Sequence, residues 1–206
     1  MTYHQAYLAN HVFLAACLAL ACLTSAASGC GSSDGGGTPE VDSDLLGIYE
    51  INAYQTSPEC GELTDAQGAP RLVLYSATRN DDPDQPLMAG QFCGSVEDCR
   101  ARAEAALPAV NYSFFDGNDA EGWLGYGIAS QGFVGEQCRV DVQVHTLTST
   151  SDQSIEIDTK QVETIYQATL DGNEATCSIQ DAIASITDDL PCTGLFLVEA
   201  TFETGL

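Results

Sequence analysis

Between Cys138 and Thr148 the chain alternates with a period of two. Cys138, Val140, Val142 and Val144 share one parity, and Arg139, Asp141, Gln143 and His145 share the other. Side chains repeat every second residue in a β-strand and every three to four in a helix, so this segment is a strand. A strand so sharply divided packs one face on a core and turns the other to water. On that reading His145 is a solvated surface residue.

The same period returns elsewhere. Tyr49, Ile51 and Ala53 alternate with Glu50 and Asn52, and Leu72-Val73-Leu74-Tyr75 is a short β-prone run. Near the end, Phe196, Val198, Ala200 and Phe202 alternate with Leu197, Glu199, Thr201 and Glu203. From Ser154 to Leu170 the parity changes, from Ile155 and Ile157 to Val162, Thr164, Tyr166, Ala168 and Leu170. That change predicts a bulge or turn near Asp158 to Gln161. The segment Gly122-Trp123-Leu124-Gly125-Tyr126-Gly127-Ile128 also reads as a strand, with glycines that signal a bend or a close backbone approach.

Two short helices interrupt the strands. Ser95 can cap the first, Glu97 and Asp98 sit in its opening turn, Val96, Cys99, Ala103 and Leu107 share a face, and Pro108 stops it. The second covers about Ser178 to Ile186, with Ile179, Ala182, Ile183 and Ile186 on one side. Successive strands with few helices predict a mainly β fold, an antiparallel curled sheet closed as a barrel or sandwich.

Of nine cysteines, Cys17, Cys22 and Cys30 lie near the start. The other six, Cys60, Cys93, Cys99, Cys138, Cys177 and Cys192, are an even set that reads as three disulfides in an oxidising compartment. Six cysteines allow 15 pairings. Cys177 with Cys192 across the second helix is the first expectation, and Cys93 with Cys99 the second. Zinc would need closer pairs and more histidines than His145 supplies.

The N-terminus points to export. An uncharged apolar run from Val12 to Ala27 leads into Ser28-Gly29-Cys30 and then Gly31-Ser32-Ser33-Asp34-Gly35-Gly36-Gly37. The run is shorter than the roughly 20 residues that span a bilayer, which disfavours a transmembrane anchor. Small residues, a cysteine and a polar tether in that order resemble the lipobox of bacterial lipoproteins. The resemblance implies cleavage before Cys30 and acylation of its thiol. The organisation expected is residues 1–29 as signal peptide, 30–44 as acylated cysteine and flexible tether, and 45–206 as a single β-rich domain. Gly31 after the anchor, by resemblance to lipoprotein sorting, implies the outer membrane, with the domain in the periplasm or at the cell surface.

The chain carries 30 Asp and Glu against six Lys and Arg, a net charge of −24. Such a charge repels nucleic-acid phosphates and anionic headgroups, so nucleic acid is excluded as a partner. The turn Asp116-Gly117-Asn118-Asp119-Ala120-Glu121-Gly122 offers a weak calcium candidate in Asp116, Asn118, Asp119 and Glu121. The same residues also serve a strand-connecting turn for backbone reasons, the favoured reading. Asn80-Asp81-Asp82-Pro83-Asp84 is a similar acidic turn. No H-E-x-x-H, P-loop or C-x-x-C occurs, and no cofactor or catalytic residue is expected.

Two further resemblances bear on function. Gly47-Ile48-Tyr49 is similar to the G-x-W opening of lipocalins, ligand-carrying β-barrels, with Tyr in place of Trp. A broader set comprises Gly47-x-Tyr49-Glu50, Cys60, Cys93-Gly-Ser-Val-Glu-Asp-Cys99-Arg100, Asp119-x-x-Gly122-Trp123, Cys138, Cys177 and Cys192. It resembles a family of exported lipoproteins of myxobacteria without an assigned activity. The leading expectation is a lipid-anchored envelope or surface lipoprotein with a non-catalytic interaction role. The alternatives are a lipocalin-like carrier of a small apolar ligand, which needs a deep apolar cavity, and a hydrolase built on two carboxylates about 5–10 Å apart.

Overall fold

A computed structural model describes residues 40–78, 85–105, 111–171, 174–187 and 189–206. Cys30, the apolar run, the acidic turn at 80–84 and the expected helix end at Leu107 and Pro108 lie outside the described residues. The strands are β1 (Gly47–Ser57), β2 (Thr64–Asp65), β3 (Arg71–Thr78), β4 (Pro86–Cys93), β5 (Tyr112–Asn118), β6 (Gly122–Val134), β7 (Gln137–Ser151), β8 (Ser154–Gln167), β9 (Thr169–Asp171), β10 (Glu174–Thr176) and β11 (Cys192–Thr204). Helix α1 (Val96–Ala105) follows β4, and α2 (Ile179–Ala184) precedes β11. Ser95 and Ser178 cap them, each accepting from the backbone N–H three residues on.

The expected mainly β class is realised as a closed antiparallel barrel. Strands β1, β3, β4, β5, β6, β7, β8 and β11 pair in that order, and β11 returns to β1. Closure removes both sheet edges. Short hairpins join the strands at one end of the barrel, at residues 119–121 and 152–153. At the other end lie α1, α2, the β9–β10 hairpin and the tip of the β6–β7 hairpin.

Three apolar clusters result. The barrel interior holds Tyr49, Leu72, Leu74, Met88, Tyr112 and Phe114, closed on the far side by Trp123, Leu147, Ile155, Ile157, Val198 and Ala200. A second cluster, Ile48, Val73, Tyr75, Leu87 and Ala89, lies on the outer face of β1, β3 and β4 against α1. A third, Cys138, Val140, Val142 and Val162, lies on the outer face of β7 and β8 against Ala182 of α2.

The outer clusters overturn two expectations from the alternation. Cys138, Val140 and Val142 face outward beneath α2, so the opposite parity of β7 turns into the barrel. His145 is therefore buried, at 1% exposure, rather than solvated. The bulge expected near Asp158 to Gln161 is likewise absent from the β7–β8 ladder, which runs in unbroken register from Gln137↔Gln167 to Ser149↔Ile155; beside it the register shifts on the β11 side, between Cys192↔Val162 and Gly194↔Gln161. Ile155 and Ile157 fill the interior while Val162 lies under α2, so one straight strand buries its two parities at different heights.

All six expected cysteines are paired. Cys60–Cys192, Cys93–Cys99 and Cys138–Cys177 have Cα separations of 5.9, 5.2 and 5.6 Å. The expected Cys93–Cys99 bond is present, and the expected Cys177–Cys192 bond is not. Cys177 precedes α2 and is drawn to Cys138 as the helix lies down on β7 and β8. Cys192 opens β11, the closing neighbour of β1, and so meets Cys60 just beyond the end of β1.

Candidate functional site

The two ends of the barrel are built differently. At the hairpin end the incoming chain forms a plug. Val41 is buried, and its N–H donates to Ser76 Oγ at 2.9 Å. Leu45 and Leu46 pack on the interior cluster. Asp119 secures the plug, accepting from Ser43 Oγ at 2.6 Å, the Asp44 N–H at 2.7 Å and Trp123 Nε1 at 2.8 Å. Tyr49 donates to the Leu45 carbonyl at 2.9 Å, and burial beside the Asp119 charge pushes its hydroxyl up to about 12. Residues expected in the tether, Val41 and Ser43, are thus part of the packed domain.

This geometry bears on the calcium candidates. Asn118 Oδ1 accepts from the N–H groups of Ala120 and Glu121, the bonding of a turn, and Asn118 Nδ2 donates to Glu121 at 3.2 Å. Asp116 lies in β5, and Asp119 is turned to the plug. Among the described residues no group of three or more His, Cys, Asp or Glu is placed to hold a metal ion. A cleft of about 490 Å³ beside the plug brings Asp44, Asp119 and Asp152 together with Ser149 and Ser154. It is the setting a carboxylate pair would need, yet Asp119 already has both oxygens hydrogen-bonded.

The opposite mouth holds a smaller cavity of about 150 Å³. Its apolar wall is aromatic: Tyr54, Phe92, Tyr112 and Phe196. Tyr54 meets Phe92 edge-on at 5.9 Å, and Phe92 meets Tyr112 at 5.6 Å. Its polar wall is Asn111, Gln143, His145 and Thr159. Asn111 Oδ1 accepts the Phe92 N–H at 2.9 Å, which fixes that amide.

His145 is central to this wall. Its Nδ1 pairs with Thr159 Oγ1 at 2.9 Å across the His145↔Thr159 register of β7 and β8. Tyr112 packs edge-on against the ring at 5.0 Å. The other nitrogen, Nε2, is buried without a hydrogen-bond partner. Burial lowers the imidazole to about 4, so the ring is neutral at pH 7. Desolvation also raises the Tyr112 hydroxyl above its ordinary range. A Cβ on Gly127 would lie 3.0 Å from Nε2, so a side chain there would crowd that edge of the buried ring.

Sequence reasoning placed His145 on the wrong face and missed this mouth. The available signal was Gly125-x-Gly127 in β6, which lies opposite His145 and Gln143 in the β6–β7 register. Comparison with protein-family models, curated proteins and solved structures finds no match to this chain.

Proposed function

We propose that the chain is an exported lipoprotein, anchored in an envelope membrane through Cys30, whose barrel serves as a non-catalytic binding module. The observation that carries the reading is the pairing of all six domain cysteines, which fits folding in an oxidising compartment. With it goes the order Ser28-Gly29-Cys30 followed by a Gly-rich tether. The described chain enters the barrel at the plugged end, through Val41 and Leu45.

The eight-stranded meander is compatible with a lipocalin-like barrel. Its interior, however, is filled among the described residues from Trp123 to Tyr112 by large side chains, where a long apolar ligand would have to lie.

Metabolic labelling with palmitate tests the anchor. Label should enter the wild-type chain, Cys17→Ser and Cys22→Ser, and be lost from Cys30→Ser, which should also leave the membrane fraction or accumulate as precursor. Label that persists in Cys30→Ser refutes the assignment.

A further inference from the structure

We propose that the free edge of β6, where the β6–β7 hairpin runs past the closed barrel, pairs with the same edge of a second copy of this chain. The pairing is antiparallel and two-fold, through Ser130–Val134. Strand lengths create the edge. β5 last meets β6 at Phe114↔Gly125, whereas β7 follows β6 on to Val134↔Gln137. Among the described residues, β6 past Gly125 therefore has a strand partner on its β7 side only. Residues 128–134 are all exposed. Such an edge presents a row of N–H and C=O groups that another extended strand can pair.

This edge is also undefended. Exposed edges are ordinarily blunted by charge, proline, a bulge or brevity. From Gly122 to Gly135 the chain has no charged residue and no proline. A bulge lies between Ile128 and Ser130, and beyond it Ser130–Val134 keeps regular register with β7. Ile128, Phe133, Val134 and Ile165, four of the large apolar residues left exposed, lie on this extension. The extension's other edge is β8 past Val162, its last partner on β11, and that edge carries Glu163, paired with Arg139.

Charge and symmetry name the occupant. The uncharged edge offers no grip to a partner steered by charge. Two copies at −24 repel across their surfaces, and here their backbones can meet without setting charge against charge. Edge pairing needs a partner with an unpaired strand of its own, and a second copy brings one of equal length. Two-fold pairing of identical strands is antiparallel and closes at two copies. Centred on Gly132, where a Cβ would meet nothing within 4 Å, it sets Gln131 beside Phe133 of the second copy and Ser130 beside Val134. Each of those pairs shares a face of the sheet, as cross-strand neighbours must.

The test uses the full-length oxidised chain in mild detergent. Analytical ultracentrifugation reads its size, and amide hydrogen exchange reads which strand is covered. A monomer–dimer equilibrium is expected, with a Kd on the order of 100 μM or tighter at about 500 mM sodium chloride, since small interfaces are weak. Because the copies repel, about 20 mM salt should weaken the dimer by about tenfold or more. Amides of Ser130–Val134 that face away from β7 should exchange more slowly as the dimer forms. Phe133→Glu and the milder Gln131→Glu, which put acid into the pairing, should each weaken it by about tenfold or more. Leu206→Glu makes the same change at a residue 55% exposed, against 54% for Phe133, and should leave the Kd within about twofold. Intact masses with three disulfides would verify that the variants fold. Overturning results are a monomer at about 1 mM chain in both salts, a dimer that weakens as salt rises, or assembly that continues beyond two copies. Unchanged exchange in Ser130–Val134 on association, or a dimer indifferent to both Phe133→Glu and Gln131→Glu, would overturn it equally.

Discussion

The buried histidine makes a quantitative prediction about acid. In the unfolded chain His145 titrates near 6.5, and in the barrel burial lowers it to about 4. Between those values the unfolded state binds more protons than the folded state, so stability falls as pH falls. The stabilisation is whole above pH 6.5, declines through the window from 6.5 to 4, and levels off below it. Linkage gives a loss of about 2 kcal/mol by pH 5 and about 3 kcal/mol by pH 4.

Many carboxylates titrate in the same range, and protonating them relieves the repulsion within a chain of net charge −24. The raw pH profile is therefore a mixture of opposing effects. A difference isolates the histidine. His145→Gln keeps a neutral polar side chain near Thr159 and cannot titrate. The Tyr112 hydroxyl beside the ring is raised by burial and stays protonated throughout this range. Urea unfolding of the wild type and His145→Gln at pH 7.5, 6, 5 and 4 should show the wild-type advantage shrinking by about 2 kcal/mol between pH 7.5 and 5. A difference that stays constant over that range would refute the reasoning, because it would mean that the ring takes up its proton equally in both states.

Three other outcomes follow from the packing. Because loop entropy grows with loop length, replacing Cys60 and Cys192 by Ser, at a separation of 132 residues, should cost about 5 kcal/mol, against about 2 kcal/mol for Cys93 and Cys99 at a separation of 6, read as denaturant midpoints. Asp119→Ala removes an acceptor shared by Ser43, Asp44 and Trp123, so it should destabilise by about 3 kcal/mol and red-shift the emission of the single tryptophan. Gly125→Ala would set a methyl group 1.9 Å from the Ser113 carbonyl oxygen and should prevent folding, whereas Gly132→Ala, with open space around it, should change thermal stability by less than about 0.5 kcal/mol.

The strands were legible because period-two alternation is local, the first helix because Ser95 announces its cap, and the second because Ile179, Ala182, Ile183 and Ile186 share one side. The glycines of β6 were legible too: Gly122 has φ of +91°, and the close approach at Gly125 is the one the pattern implied. Which parity faces inward was not legible. Alternation tells that two faces differ, and it assigns the apolar face to the barrel interior only if nothing covers the outside. Here α1 and α2 cover the outside. Val140 and Val142 are apolar because they face α2, and His145 and Gln143 are polar because they line a mouth. The disulfide pairing was hidden for the same reason, since Cys177 reaches Cys138 only once α2 is laid on β7. The plug was hidden because the Asp119 bonds to Ser43 and Asp44 span 76 and 75 residues.

The asymmetry of the barrel bears on where function resides. At the plugged end Asp119 meets three donors and the interior is continuous with Val41 and Leu45. At the mouth the chain keeps a buried histidine with one nitrogen unpartnered, where an aliphatic residue would close the core at lower cost. It also keeps glycines at 125 and 127 in a long strand, which weakens that strand. These are breaches of the rules that the rest of the barrel obeys, and they are adjacent across the β6–β7 ladder. Sequences optimised only for stability do not collect such breaches in one place, and sites that bind do. The three disulfides at the same end supply the stability that such a mouth gives up.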